Sequence, residues 1–226
     1  IQPNMRRRAE QFLTEWRGRP GRKPLVLRGA RQVGKTYLVE NWGAQNFGSV
    51  LKVDLERERD LHGLFSQPDP NRLLEELSLL KGLSVRPGET LLFLDEVQAC
   101  PPALATLRYF FELTPDLHVI AAGSLLDFAL REFTHSMPVG RIEFLHLHPM
   151  SFEEFLEAVE GEALAKYVAR VPLGEALSEA MERKFLEALR RYFFIGGMPE
   201  AVRVYAERKD LLEVQRVQTA LVVQRD

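Results

Sequence analysis

Residues 27–39, LRGARQVGKTYLV, set two glycines, a lysine and a threonine at the spacing G-x-x-x-x-G-K-T. The loop carries no hydrophobic anchor. Between a strand and a helix, such a loop turns successive backbone N–H groups onto phosphates, and the helix N-terminus adds positive partial charge. In that reading Gly34 permits close approach of the backbone, the Lys35 ammonium reaches the β and γ phosphates, and the Thr36 hydroxyl holds magnesium. Gly29, Ala30, Arg31, Gln32, Val33 and Tyr37 complete the candidate nucleotide-binding set. The bare spacing also fits a surface turn. An apolar run before it and a helical run after it favour a triphosphate.

The second constellation is LLFLDE, residues 91–96, which delivers Asp95 and Glu96 at the C-terminal end of an apolar run. Open parallel sheets place their ligands at that end. Asp95 can hold the magnesium and Glu96 can polarise a water toward the γ phosphate. Alone, the two carboxylates would equally mark the solvated end of a buried strand; with the GKT loop upstream they point to hydrolysis. No feature announces the acceptor pocket that a small-molecule kinase needs. Ser124, closing VIAAGS, either senses the γ phosphate or simply caps the next helix. An arginine that neutralises the transferring phosphate, from the same or a neighbouring chain, has three candidates: Arg31 in the loop, Arg131 and Arg141. Arg141 is preferred because it sits at a turn entering an ordered segment. His146 and His148 share one face of a strand, but no third ligand is near in sequence, so core or surface roles outweigh a metal.

These residues need elements to hold them. A short helix around Phe12 and Trp16 precedes the breaker GRPGRKP, and LVLRG then reads as a buried strand. KTYLVENW is a helix ending near Gly43. Ser49–Leu55 is a strand, followed by a charged patch and a helical run, NRLLEELSLLKG. TLLFLDE has the unbroken apolar character of a central parallel strand, a helix spans roughly 102–113, and LHVIAAGS is the next strand. Strands alternating with helices predict an α/β parallel sheet flanked by helices. Beyond Gly123, SLLDFALREF reads as a helix and GRIEFLHLHPM as a strand or extended segment. SFEEFLEAVE opens with a Ser151–Glu154 capping box and carries Phe152, Phe155, Leu156 and Val159 on one face. From about Pro172 the chain reads as helical except at GGMPE, residues 196–200. The expected division is a nucleotide domain over 1–158 and a helical C-terminal appendage over 159–226, which ends inside a helix and so reads as cut from a longer protein.

The whole chain sets the outer limits. Its 226 residues, 46% hydrophobic, suffice for one sizeable core. Thirty Lys and Arg against 32 Asp and Glu leave a formal charge of −2, so no global basic field argues for nucleic acid. MRRR and GRPGRK are short basic runs that fit a solvated surface. One cysteine, Cys100, suits a reducing cytoplasm, and no segment approaches the roughly 18–20 apolar residues that cross a bilayer.

The stretches LRGARQVGKTYLV, LLFLDEVQ, IAAGS, GRIEFLHLHPMSFEEFL and GGMPEAV, in this order, resemble bacterial and archaeal AAA+ ATPases of the AAA_14 type. The resemblance covers nearly the whole chain and implies a P-loop NTPase fold, with ATP rather than GTP as nucleotide and Mg2+ as cofactor. The absence of an N/T-K-x-D stretch agrees. It also implies Lys35 and Thr36 in the phosphate and magnesium site, Asp95 and Glu96 as the acidic pair and Ser124 as the polar sensor. Gln98 belongs to the same DEVQ signature without an assigned role. Family members commonly carry a further C-terminal domain of unknown function, DUF4143, through which a protein or nucleic-acid partner would act; self-association is also implied as possible. Two functional classes follow: an ATPase whose slow hydrolysis drives a conformational change, or an ATP-gated interaction module that uses hydrolysis only to reset.

Overall fold

Short apolar runs bounded by glycine, proline or charge form strands: β1 Leu25–Arg28, β2 Ser49–Asp54, β3 Thr90–Asp95, β4 His118–Ala122 and β5 Glu143–His146. In the computed structural model, which describes residues 5–67, 69–124, 126, 140–172 and 174–223, they make one sheet in the order β2-β3-β4-β1-β5. Every pairing is parallel. Parallel strands need crossovers, and helices supply them: α1 Ala9–Gly18 leads into β1, α2 Lys35–Asn46 follows it, α3 Pro70–Lys81 precedes β3, and α4 Pro101–Leu113 joins β3 to β4. The expected α/β parallel sheet flanked by helices is the fold found.

Alternation along the strands divides the core between two faces. Val26, Leu92, Leu94, Val119 and Ala121 pack with Leu73, Leu77, Leu104, Leu107 and Phe110 of α3 and α4. Leu25, Leu27, Leu91, Phe93 and Ile120 pack with Leu13, Trp16, Leu38, Val39 and Trp42 of α1 and α2. Burial on both faces is why all six residues of β3 are buried and why Leu91 to Leu94 run apolar without a break up to the carboxylate.

Local differences from the sequence reading have packing causes. α2 runs through Gly43 to Asn46 because the glycine lets the helix lie against the sheet: a Cβ there would meet Leu91 Cδ2 at 2.9 Å and Val50 Cγ2 at 3.0 Å. The charged patch after β2 holds a 3-10 helix, Arg59–Ser66, whose Leu61 and Phe65 are buried. The helix expected over 124–133 lies outside the described residues, except Ser124 and Leu126.

By compactness the chain divides into Ala9–Leu147, which holds the sheet, and a second unit made of Ile1–Arg8 with His148–Asp226. The division falls before residue 158. In the second unit α5 Phe152–Val159, α6 Glu162–Arg170, α7 Glu179–Ile195, α8 Pro199–Arg208 and α9 Leu211–Val223 follow one another. Both halves of the capping box form: Glu154 N–H donates to Ser151 Oγ at 3.2 Å, and Ser151 N–H to Glu154 Oε2 at 2.8 Å. Glu154 also accepts from Arg7 Nε at 3.2 Å and Arg8 N–H at 2.7 Å, which ties residues 7 and 8 into this unit. Among the described residues no helix is long and apolar enough to cross a membrane.

Candidate functional site

All five strands run the same way, so all their C-terminal ends lie on one edge of the sheet. The loop after β1 opens there. Gly29 has φ +148°, and a Cβ on it would come 2.2 Å from the Leu147 carbonyl oxygen, so only glycine lets the loop leave the strand this close to the chain after β5. Gln32 and Gly34 take the left-handed conformation at φ 60° and 91°, and α2 starts immediately after. Its first N–H groups therefore face the loop without intrahelical partners. Val33 is fully buried among Leu25, Leu27 and Leu38. The loop does have a hydrophobic anchor, contrary to the sequence reading, because this one side chain turns down into the core.

Lys35 is buried and donates through Nζ to the Gly29 and Ala30 carbonyls, each at 2.9 Å. Burial lowers its pKa, and Glu96 and Asp95 oppose that shift. Thr36 Oγ1 donates to Asp95 Oδ2 at 2.9 Å. Asp95, the last residue of β3, is buried; burial pushes its carboxyl up, while the Thr36 hydrogen bond and the Lys52 ammonium at 3.4 Å pull it down. Lys52, on β2, also meets Glu40 of α2 at 2.7 Å, and these contacts raise its pKa against the cost of burial. Next along the chain, Glu96 sits at φ 48°. Its Oε2 accepts from Gln98 Nε2 at 2.5 Å and from Ser124 Oγ at 3.4 Å.

These ends surround a cavity of about 480 Å³. The loop and α2 line it with Arg31, Gln32, Gly34, Lys35, Thr36 and Tyr37; Glu56 comes from after β2, Glu96 and Gln98 from after β3, and Ser124 from after β4. Its size is that of small-ligand and cofactor sites. Residues 21–156, more than half the chain, match the family model AAA_14, described as an AAA domain. The chain belongs to the AAA_14 family. Membership brings nucleotide binding with it, which accounts for a cavity lined by loop amides, an ammonium and a hydroxyl. Among solved structures, this AAA domain protein is similar to the Walker-type ATPase PABY2304 of Pyrococcus abyssi: TM-score 0.60 at 19% identity, over 98% of this chain and 74% of that one. The Aeropyrum pernix ORC1 protein solved in complex with DNA gives a TM-score of 0.46 at 15% identity, over 96% and 65% of the two chains. The first is a likeness of fold. No curated protein matches the chain.

The AAA domain does not bring every expected residue to this cavity. Glu143, first in β5, pairs with Leu25, first in β1, so Arg141 lies at the N-terminal edge of the sheet, the edge opposite the loop. Its Nε donates to Glu112 Oε1 at 3.1 Å, close to the end of α4. Within one chain Arg141 therefore stands away from this cavity, because parallel pairing puts the start and end of a strand on opposite edges; the expectation is narrowed to an arginine that would serve a neighbouring chain. Arg31 does line the cavity, and Arg131 lies outside the described residues. Ser124 sits beside Glu96. His146 ends β5, and among the described residues no group of three or more His, Cys, Asp or Glu is placed to hold a metal. Sequence reasoning gave no part to Lys52, Glu56 or Gln98. For Lys52 and Glu56 the signal was their place at the end of β2, once β2 is known to adjoin β3.

Proposed function

We propose that this chain binds ATP with Mg2+ in the cavity and hydrolyses it slowly to ADP and phosphate. The observation that carries the reading is the 2.9 Å hydrogen bond between Thr36 and Asp95, which joins the phosphate loop to the acidic strand end beside Glu96. A hydroxyl and a carboxylate are the hard oxygen donors that suit magnesium, and the Lys52 ammonium already answers the charge of Asp95 Oδ2. Bound between Thr36 and Asp95, the cation would neutralise phosphate charge. The loop amides and the start of α2 hold the phosphates, and Lys35 exchanges its two carbonyl partners for phosphate oxygens. Glu96 takes the proton of the attacking water, Ser124 reports on the γ position, and Arg31 is the arginine within reach of the phosphates.

Lys35→Ala is expected to weaken ATP binding. Glu96→Gln is expected to leave binding nearly intact and to slow turnover by about a hundredfold or more. Calorimetry and phosphate release measure the two effects. A Glu96→Gln protein as active as its parent would overturn the assignment. ATP over GTP rests on the family and on the missing N/T-K-x-D stretch; equal displacement of labelled ATP by both nucleotides would contradict it. A cytoplasmic setting rests on the single buried Cys100.

A second reading, an ATP-gated interaction module, is favoured by apolar side chains that stand open on the helical unit: Phe193 and Phe194 on α7, Val222 and Val223 on α9. Large apolar side chains left open on two helices are the raw material of a contact surface. Pull-down with Glu96→Gln, with and without ATP, tests it and the associated conformational change. No ATP-dependent change in bound protein or nucleic acid, or in self-association, removes the module reading.

A further inference from the structure

Gln98 lines the cavity two residues beyond Glu96, within the 3-10 turn Val97–Ala99. Its Nε2 donates to Glu96 Oε2 at 2.5 Å. Glu96 reaches that contact from φ 48°, a left-handed conformation that costs energy for a residue with a Cβ. An ionised carboxylate only accepts, so it faces the NH2 end of the amide and leaves the carbonyl end to turn away. That carbonyl, Gln98 Oε1, is buried and accepts no hydrogen bond among the described residues. It lies against Gly123. A Cβ built on Gly123 would come 2.2 Å from Oε1 and 2.9 Å from Leu126 Cγ. Gly123 has no positive φ, so what it supplies is space rather than a special backbone conformation.

A buried amide with its acceptor unused costs stability, and an apolar side chain of the same length would fill the place without that cost. A strained backbone, an unpaired carbonyl and a glycine cleared for it all converge on one hydrogen bond to Glu96. We propose that Gln98 is a positioning residue: it fixes Oε2 of Glu96 so that the other oxygen faces the attacking water, and Gly123 is the space that admits its amide. Ser124, 3.4 Å from the same oxygen, assists. The proposal rests on the reading of Glu96 as the base. A base held by one oxygen presents the other in a fixed direction, and loss of such alignment costs up to about a hundredfold in rate.

The test uses Gln98→Met, which keeps the volume and removes the donor, and Gly123→Ala, which crowds the amide out. Each is made alone, both together, and Gln98→Met also in the Glu96→Gln background. The readouts are kcat, KM, ATP affinity and melting temperature. Each single change is expected to lower kcat by about tenfold or more with ATP affinity unchanged. The double variant should be no slower than the slower single one, and Gln98→Met should add nothing to Glu96→Gln, because all act through one carboxylate. A Cβ on Gly123 meets side chains and no backbone, Gln98 Oε1 first and then Leu126, so with melting temperature read beside kcat it carries the test if Gln98→Met fails to fold. Parental kcat in either single variant overturns the clamp, as does multiplication of their losses. The two failures separate cleanly: parental turnover in Glu96→Gln, or no turnover in the parent, overturns the base on which the clamp rests. An inactive Glu96→Gln beside a fully active Gln98→Met overturns the clamp alone.

Discussion

At the scale of the residue, the cavity is held together by charges that the fold alone does not reward. Asp95 is buried, and burial raises its carboxyl against the pull of Thr36 and Lys52. A buried carboxylate is retained where a cation or substrate gives it a use. Asp95→Asn is therefore expected to raise the melting temperature of the nucleotide-free protein while abolishing magnesium-dependent turnover, a gain in stability bought with function. Calorimetric melting beside a phosphate-release assay checks both halves. A variant that is less stable and inactive would show that Asp95 is a structural anchor instead.

Elements carry a different set of consequences. α1, β4 and the end of α2 meet around His118, which is buried and lies edge-on to Trp16 and Phe47. Nε2 of its ring is 3.2 Å from the Arg17 carbonyl, and Nδ1 is 3.2 Å from Arg22 Nη2. Burial, with the Arg22 charge adding to it, lowers its pKa to about 4. The folded state thus holds a neutral ring where the unfolded chain binds a proton below about 6.5. His118 should therefore remove stability as pH drops from about 6.5 to about 4, by on the order of 3 kcal/mol in all, its own share levelling off below. Urea midpoints across that window test this, and His118→Gln should flatten the slope. In the helical unit, Gly196 takes φ 76° and ends α7, while Gly197 packs so closely that a Cβ would lie 2.2 Å from the Met150 carbonyl oxygen. Met150 N–H donates to Gly197 O at 2.6 Å. GGMPE is thus a packed corner, with Pro199 in the first turn of α8. Gly197→Ala should cost about 3 kcal/mol without changing ATP affinity; a change in affinity at unchanged stability would favour a hinge.

For the whole molecule, a ligand that binds only the folded chain raises its stability by mass action. Saturating ATP with Mg2+, at about a hundred times its dissociation constant, should add about 2.7 kcal/mol. The melting temperature should rise with ATP in the parent and in Glu96→Gln, and should rise much less in Lys35→Ala at the same ATP concentration. A rise without magnesium equal to that with it would remove the cation from the binding step.

What the sequence determined by itself is what lies contiguous along it. The GKT loop, the DE pair, the alternation of strand and helix and the Ser151 capping box each need only neighbours within a few positions, so their spacing already specifies their geometry. A parallel sheet then collects the strand ends on one edge, and Lys35, Thr36, Asp95, Glu96 and Ser124 meet there without further information. Tertiary structure decided the rest. Arg141 stands at the start of β5, on the edge opposite its own chain's cavity, which only the register of β5 on β1 reveals. Lys52 reaches Asp95 because β2 is the neighbour of β3, a fact of strand order that no local pattern states. Gln98 stands in the DEVQ signature in plain view, yet its partner across the site is Gly123, whose contribution is an absence of atoms. Residues 7 and 8 join Glu154 across nearly the whole length of the sheet-forming sequence. In each case the deciding contact joins distant segments, and its geometry is set by packing rather than by spacing.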